Sequence, residues 1–138
     1  MEITAFGEMS EELQRVFDYP LFADLYGENL KPDIMGFVKK NDKSEPEVIT
    51  VEVKADALKI RDVLQSKLYS DIFNAKFAFA ISPKGIKIPK LQTILRHDEA
   101  LRGNVLIVSY NPFEQFGKFR IYKELLHSVP KEFLWFCG

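Results

Sequence analysis

The chain has little that catalytic or metal-binding proteins commonly rely on. It holds one cysteine, Cys137, and two histidines, His97 and His127. One thiol excludes an internal disulfide framework and any four-cysteine zinc or iron–sulfur site. The two histidines are far apart in sequence, without metal-ligand spacing, and read as surface or packing residues. The seven glycines are scattered and make no phosphate-cradling loop. Ser82 and Ser109 end apolar runs, but no histidine-and-acid set accompanies either, which argues against a serine nucleophile. No apolar run approaches the roughly 20 residues of a membrane span. The opening "MEITAFGEMSEE" is acidic and lacks a signal-peptide layout. These absences predict a reducing, cytoplasmic setting and no membrane partner.

What is present fits one globular domain over residues 1–138. The composition is 46% apolar and 28% charged, ordinary for a globular chain, and the length suffices to bury about 68% of the unfolded surface. Twelve phenylalanines are many for 138 residues. They predict a strongly packed interior or an apolar contact surface. The aromatic end "FLWFCG" closes the core on the first reading and makes a homodimer contact on the second; Cys137 beside it reads as incidental.

The net charge of −1 names no partner, but its distribution is uneven. Residues 1–30 carry seven acids and one base, whereas residues 54–90 carry eight bases and three acids. Such a basic segment either binds phosphates or forms a solvated helix face. Lys84, Lys87 and Lys90 recur at every third position across a Gly/Pro turn; they suit backbone-phosphate contacts, which position without reading sequence, and equally suit a plain solvated turn.

Hydrophobic periodicity predicts a helix over 9–17, where Met9, Leu13, Val16 and Phe17 share a face. Strands are expected at 33–38 and 48–54, joined through the polar run "KKNDKSEPE" as a hairpin. Asp56 is a candidate N-cap for a helix over 57–74, with Ile60, Leu64, Leu68 and Ile72 as its apolar stripe. "KFAFAIS" reads as a buried strand, 90–101 as a helix, "NVLIVSY" as a strand and 118–122 as an edge strand. "KELLHSVPKEFLWF" reads as a short helix broken at Pro130. The order predicts an α/β or α+β protein with a mixed four- to five-stranded sheet flanked by helices. The hairpin strands would be antiparallel, and the strands across the long helix would be parallel.

Three charges interrupt the hairpin's apolar runs: Asp33 in "LKPDIMGFV", and Glu52 and Lys54 in "VITVEVKAD". Burying a charge is costly unless it is paired. With period 2, Thr50, Glu52 and Lys54 share one face and Ile49, Val51 and Val53 the other. Asp33 and Glu52 are neighbours if the hairpin closes. Two adjacent carboxylates repel unless a cation sits between them, and oxygen-only ligands select a hard ion such as Mg²⁺ or Mn²⁺. Such a site has the parts for hydrolysing a phosphodiester. The alternative is a structural ion pair of Lys54 with Asp33 or Glu52.

Pro32-Asp33 followed on the next strand by Glu52-Val53-Lys54 resembles the signature of the PD-(D/E)XK nuclease superfamily. The resemblance covers about residues 8–82. It implies a restriction-endonuclease-like fold, a mixed sheet between helices, and a Mg²⁺- or Mn²⁺-dependent nuclease acting on DNA. Asp33 and Glu52 would hold the metal, and Lys54 would orient the attacking water. "QSKLY" resembles the Gln-x-x-x-Tyr element of the RecB-like branch, so Gln65 and Tyr69 become site candidates at i and i+4. The family often adds an acid from its first helix. Glu12 is the candidate here, Glu8 the next, and Glu11 the more solvent-facing choice. No histidine precedes Asp33, which departs from RecB-like exonucleases and leaves the Holliday-junction-resolvase-like branch open. A non-catalytic nucleic-acid-binding or assembly module of the same fold is the competing expectation.

Overall fold

The computed structural model of the protein describes residues 2–3, 10–16, 32–39, 41–97, 103–111, 113 and 118–121. Glu8, His127, Cys137 and the helix expected around Pro130 lie outside the described residues. In chain order the elements are β1 (Glu2–Ile3), α1 (Glu11–Val16), β2 (Ile34–Val38), β3 (Glu47–Val53), α2 (Ile60–Ile72), β4 (Phe77–Ser82), α3 (Pro89–His97), β5 (Val105–Asn111) and β6 (Lys118–Ile121). The strands form one mixed sheet in the order β1-β2-β3-β4-β5-β6. β3, β4 and β5 are parallel, and the remaining neighbours are antiparallel. The α/β class with a mixed, helix-flanked sheet is as expected. The sheet is wider than expected because β1 has only two residues, too few to carry a period.

The hairpin closes because its polar run folds on itself. The Asn41 carboxamide accepts from the Lys43 N–H at 2.9 Å, and Ser44 Oγ donates to the Asn41 carbonyl at 2.9 Å. These side chains satisfy backbone groups in a turn that no ladder serves. The parallel pairs β3–β4 and β4–β5 each need a crossover, which α2 and α3 supply. Both helices pack on the same sheet face. Val63 of α2 and Leu91 and Leu95 of α3 share one core with Ala78, Ala80, Val105 and Ile107. Alternate residues of β2 and β3, Met35 and Val48, continue this face under Tyr69 and Phe73. Each fully buried aliphatic side chain here contributes about 1.5–3 kcal/mol.

α2 corrects one expectation. Ile60, Leu64 and Leu68 are the helix's outer surface, 37%, 41% and 47% exposed. The buried face is instead Asp62, Val63, Ser66, Tyr69 and Ser70. A pure i+4 repeat drifts about 40° per step and slides off a fixed face, whereas Val63, Ser66, Ser70 and Phe73 alternate steps of three and four and stay on it. The serines fit because β4 presents Ala78 and Ala80, which let the helix approach closely. Ser66 Oγ donates to the Phe79 carbonyl at 3.3 Å, and Ser70 Oγ to Asn104 Oδ1 at 2.7 Å. Two buried hydroxyls are therefore satisfied.

The helix start is also corrected. Lys59, not Asp56, occupies the N-cap position. Asp62, three residues on, accepts the Lys59 N–H at 2.8 Å and provides the acid that favours a helix N-terminus. Asp56 is left outside the helix and finds a different partner. Among the described residues, no helix is long and apolar enough to cross a membrane.

Candidate active site

β2 and β3 pair with Ile34 opposite Val51. One step further along this register sets Asp33 opposite Glu52, so both project to the face that carries α2. Two hydrogen bonds lock the crossing. The Asp33 N–H donates to Glu52 Oε1 at 3.3 Å, and the Val53 N–H donates to Asp33 Oδ2 at 2.8 Å. Lys54 lies on the same face as Glu52, and its Nζ is 3.3 Å from Glu52 Oε2. The Lys54 N–H donates to the Ile81 carbonyl at 2.9 Å, which fixes its backbone at the C-terminal end of the parallel strands. Asp33, Glu52 and Lys54 thus converge.

Burial decides the electrostatics. Glu52 is 2% exposed. Desolvation pushes its carboxyl up from 4.5 to about 7, and the charge of Asp33 pushes in the same direction. Lys54 and the Asp33 N–H pull it back without prevailing. Asp33 and Lys54 are half-buried, so the group opens to solvent on their side rather than through Glu52.

The donor set suits a hard dication. Mg²⁺ commonly takes one or two protein carboxylates and completes its shell with water and phosphate oxygens. Asp33 and Glu52 offer two carboxylates, one of them anchored by a backbone N–H. A positive charge beside Glu52 would offset the desolvation and the repulsion from Asp33 that now favour its neutral form. Among the described residues, no group of three acids, histidines or cysteines is gathered.

The other expected residues divide. Gln65 Nε2 donates to Tyr69 Oη at 3.3 Å, and Tyr69 is buried with Met35 and Val48, two residues along the strands from Asp33 and four from Glu52. This pair therefore sits above the hairpin that carries the acids. Glu12 is exposed on α1 and is not gathered with the carboxylates; a first-turn acid on a six-residue helix satisfies its charge in water. Glu11 is likewise exposed and pairs with Arg15 at 3.2 Å. Lys84 and Lys87 both act on Asp56, whereas Lys90 is exposed in the first turn of α3.

Asp56 is the residue that sequence reasoning misplaced. Its Oδ1 accepts from Lys84 Nζ at 2.7 Å. The signal was Asp62, the acid at the third helical position, which made a second acid at the N-cap unnecessary. Ser82 is buried, donates to the Asp56 carbonyl at 2.7 Å and accepts the Lys84 N–H at 3.1 Å. Its hydroxyl is a structural bracket. His97 is exposed at the end of α3. Comparison with protein-family models, with curated proteins and with solved structures finds no match to this chain.

Proposed function

We propose that the protein is a metal-dependent nuclease that hydrolyses phosphodiester bonds of DNA, on a restriction-endonuclease-like version of the α/β fold. The observation that carries this reading is the crossing of Asp33 and Glu52, with Lys54 3.3 Å from Glu52 at the C-terminal end of β3. Fold alone would not support it, because one fold serves many functions. Asp33 and Glu52 hold a Mg²⁺ or Mn²⁺ ion, which when bound supplies a polarised phosphoryl group and a more acidic water. Asp33, pinned by the Val53 N–H, gives the site a fixed anchor. Lys54 keeps Glu52 partly ionised, and its ammonium faces the charge that develops on the phosphate oxygens. Gln65 and Tyr69 hold each other above the hairpin.

The test is cleavage of single-stranded, duplex, flapped and four-way DNA with Mg²⁺ or Mn²⁺. Asp33→Ala and Glu52→Ala should each lose activity, and Lys54→Ala should lose roughly 100- to 1,000-fold, with circular dichroism unchanged. Calorimetric heat on adding Mn²⁺ should vanish in Asp33→Ala. Variants that cut as fast as the parent would overturn the assignment.

One observation favours a second reading, a nucleic-acid-binding module without turnover: Glu52 already has a counter-charge in Lys54, 3.3 Å away. That reading predicts salt-sensitive DNA binding and no cleavage with any divalent ion.

A further inference from the structure

The segments 54–61 and 82–90 contain six bases (Lys54, Lys59, Arg61, Lys84, Lys87 and Lys90) and one acid, Asp56. The fold brings the two segments together at the C-terminal edge of the parallel strands, where α/β sheets commonly receive ligands. The Leu58 N–H donates to the Gly85 carbonyl at 2.8 Å, and the Gly85 N–H donates to the Ser82 carbonyl at 3.2 Å. Gly85 has φ +57°, a left-handed conformation that other residues rarely adopt, so the turn depends on glycine. With the Ser82 bracket, these bonds make one rigid platform beside Lys54.

On that platform Asp56 is fully exposed and surrounded by cations. Lys84 is hydrogen-bonded to it, and Lys84, Lys59 and Lys87 together hold its carboxyl below the ordinary range. A carboxylate oxygen that accepts from a lysine at 2.7 Å occupies the place a phosphate oxygen would take. Both partners are solvent-exposed, so the pair is weak and readily exchanged.

We propose that Lys59, Lys84 and Lys87 form a docking patch for the phosphate backbone of a nucleic acid, and that Asp56 occupies Lys84 as an internal competitor until the polyanion displaces it. The choice of nucleic acid over another polyanion rests on the nuclease reading, because the patch adjoins Asp33, Glu52 and Lys54.

The test is fluorescence-anisotropy binding of a labelled DNA duplex in EDTA, so that no turnover is required. Asp56→Asn should bind roughly two- to fivefold more tightly, the scale of one surface ion pair. Its plot of log affinity against log salt should keep the parent's slope, because Lys84 meets phosphate in both complexes, whereas Lys84→Ala should flatten the slope by about one phosphate contact, near 0.9. Lys84→Ala should weaken binding, and Asp56→Asn should then give no further gain on the Lys84→Ala background. An unchanged Asp56→Asn, or an equal gain with and without Lys84, overturns the proposal. So does binding of the patch to phosphatidylserine vesicles with none to the duplex. Tighter duplex binding by Asp56→Asn in a protein that never cleaves supports the patch and removes the nuclease reading; cleavage with Asp56→Asn binding unchanged removes the patch alone.

Discussion

Glu52 and Asp56 lie four residues apart, each with a lysine partner, and their surroundings drive them in opposite directions. The Glu52–Lys54 pair is 3.3 Å long and closes over a carboxylate that solvent barely reaches. The Asp56–Lys84 pair is shorter, 2.7 Å, with the acid side chain 84% exposed. At Glu52 desolvation outweighs the lysine, and the carboxyl rises to about 7. At Asp56 the lysine outweighs a small desolvation, and the carboxyl falls. A lysine near a carboxylate therefore does not by itself define its charge state; burial does. The buried pair is poised to change charge when a cation arrives, and the exposed pair is poised to change partners.

The largest break in this contrast should come from Lys54→Ala. Removing the partner of a buried charge costs about 3–5 kcal/mol in general, and the half-buried position of Lys54 puts the expected loss near 3 kcal/mol at pH 8. Urea unfolding should show that loss shrink at pH 5, where Glu52 is already neutral. A constant loss at both pH values would mean that Lys54 stabilises by packing.

Next in size is the pH dependence of the parent protein. Glu52 has a folded value of about 7, above its ordinary 4.5, so the folded state binds more protons between these limits. Stability from this group is fully present below about pH 4.5 and is lost as pH rises through 7, on the order of 3 kcal/mol. Glu52→Gln keeps an acceptor for the Asp33 N–H and should flatten that slope. Saturating Mn²⁺ should also reverse it in the parent, because binding a dication stabilises the ionised form. A slope that survives Glu52→Gln would place the titrating group elsewhere.

Much of this was legible in the sequence for identifiable reasons. The hairpin was readable because two apolar runs flank a polar loop, and the period of 2 along the second run placed Glu52 and Lys54 on one face. The opposition of Asp33 and Glu52 followed once the hairpin register was fixed. The charge state of Glu52 was not legible, because it depends on α2 covering the strand face. The buried side of α2 was misread because its packing surface is built from Ser66 and Ser70, which hydropathy counts as polar. Those serines are buried against alanines and bonded to Phe79 and Asn104, neighbours distant in sequence. Asp56 was misread for a related reason. Its partner Lys84 is 28 positions away, and only the turn at Gly85 brings it back.

The smallest effect should be at the exposed pair, and it sharpens the contrast most directly. Lys84→Ala should leave the melting temperature unchanged within error, since an exposed ion pair in water gains little and is screened by salt. The readout is instead the Asp56 carboxyl, followed by carbon-detected NMR titration. Its depressed value means that any stabilisation it brings exists above the ordinary carboxylate range and disappears as pH falls through the depressed value. In Lys84→Ala the titration should move up toward 3.8, the ordinary aspartate value, and in the parent it should make the same move when duplex DNA occupies Lys84. If Asp56 stays depressed without Lys84, then Lys59 and Lys87 suffice to hold it. The exposed acid would then be a counter-charge to the whole patch rather than one member of a pair, and DNA would have to displace it from three lysines instead of one.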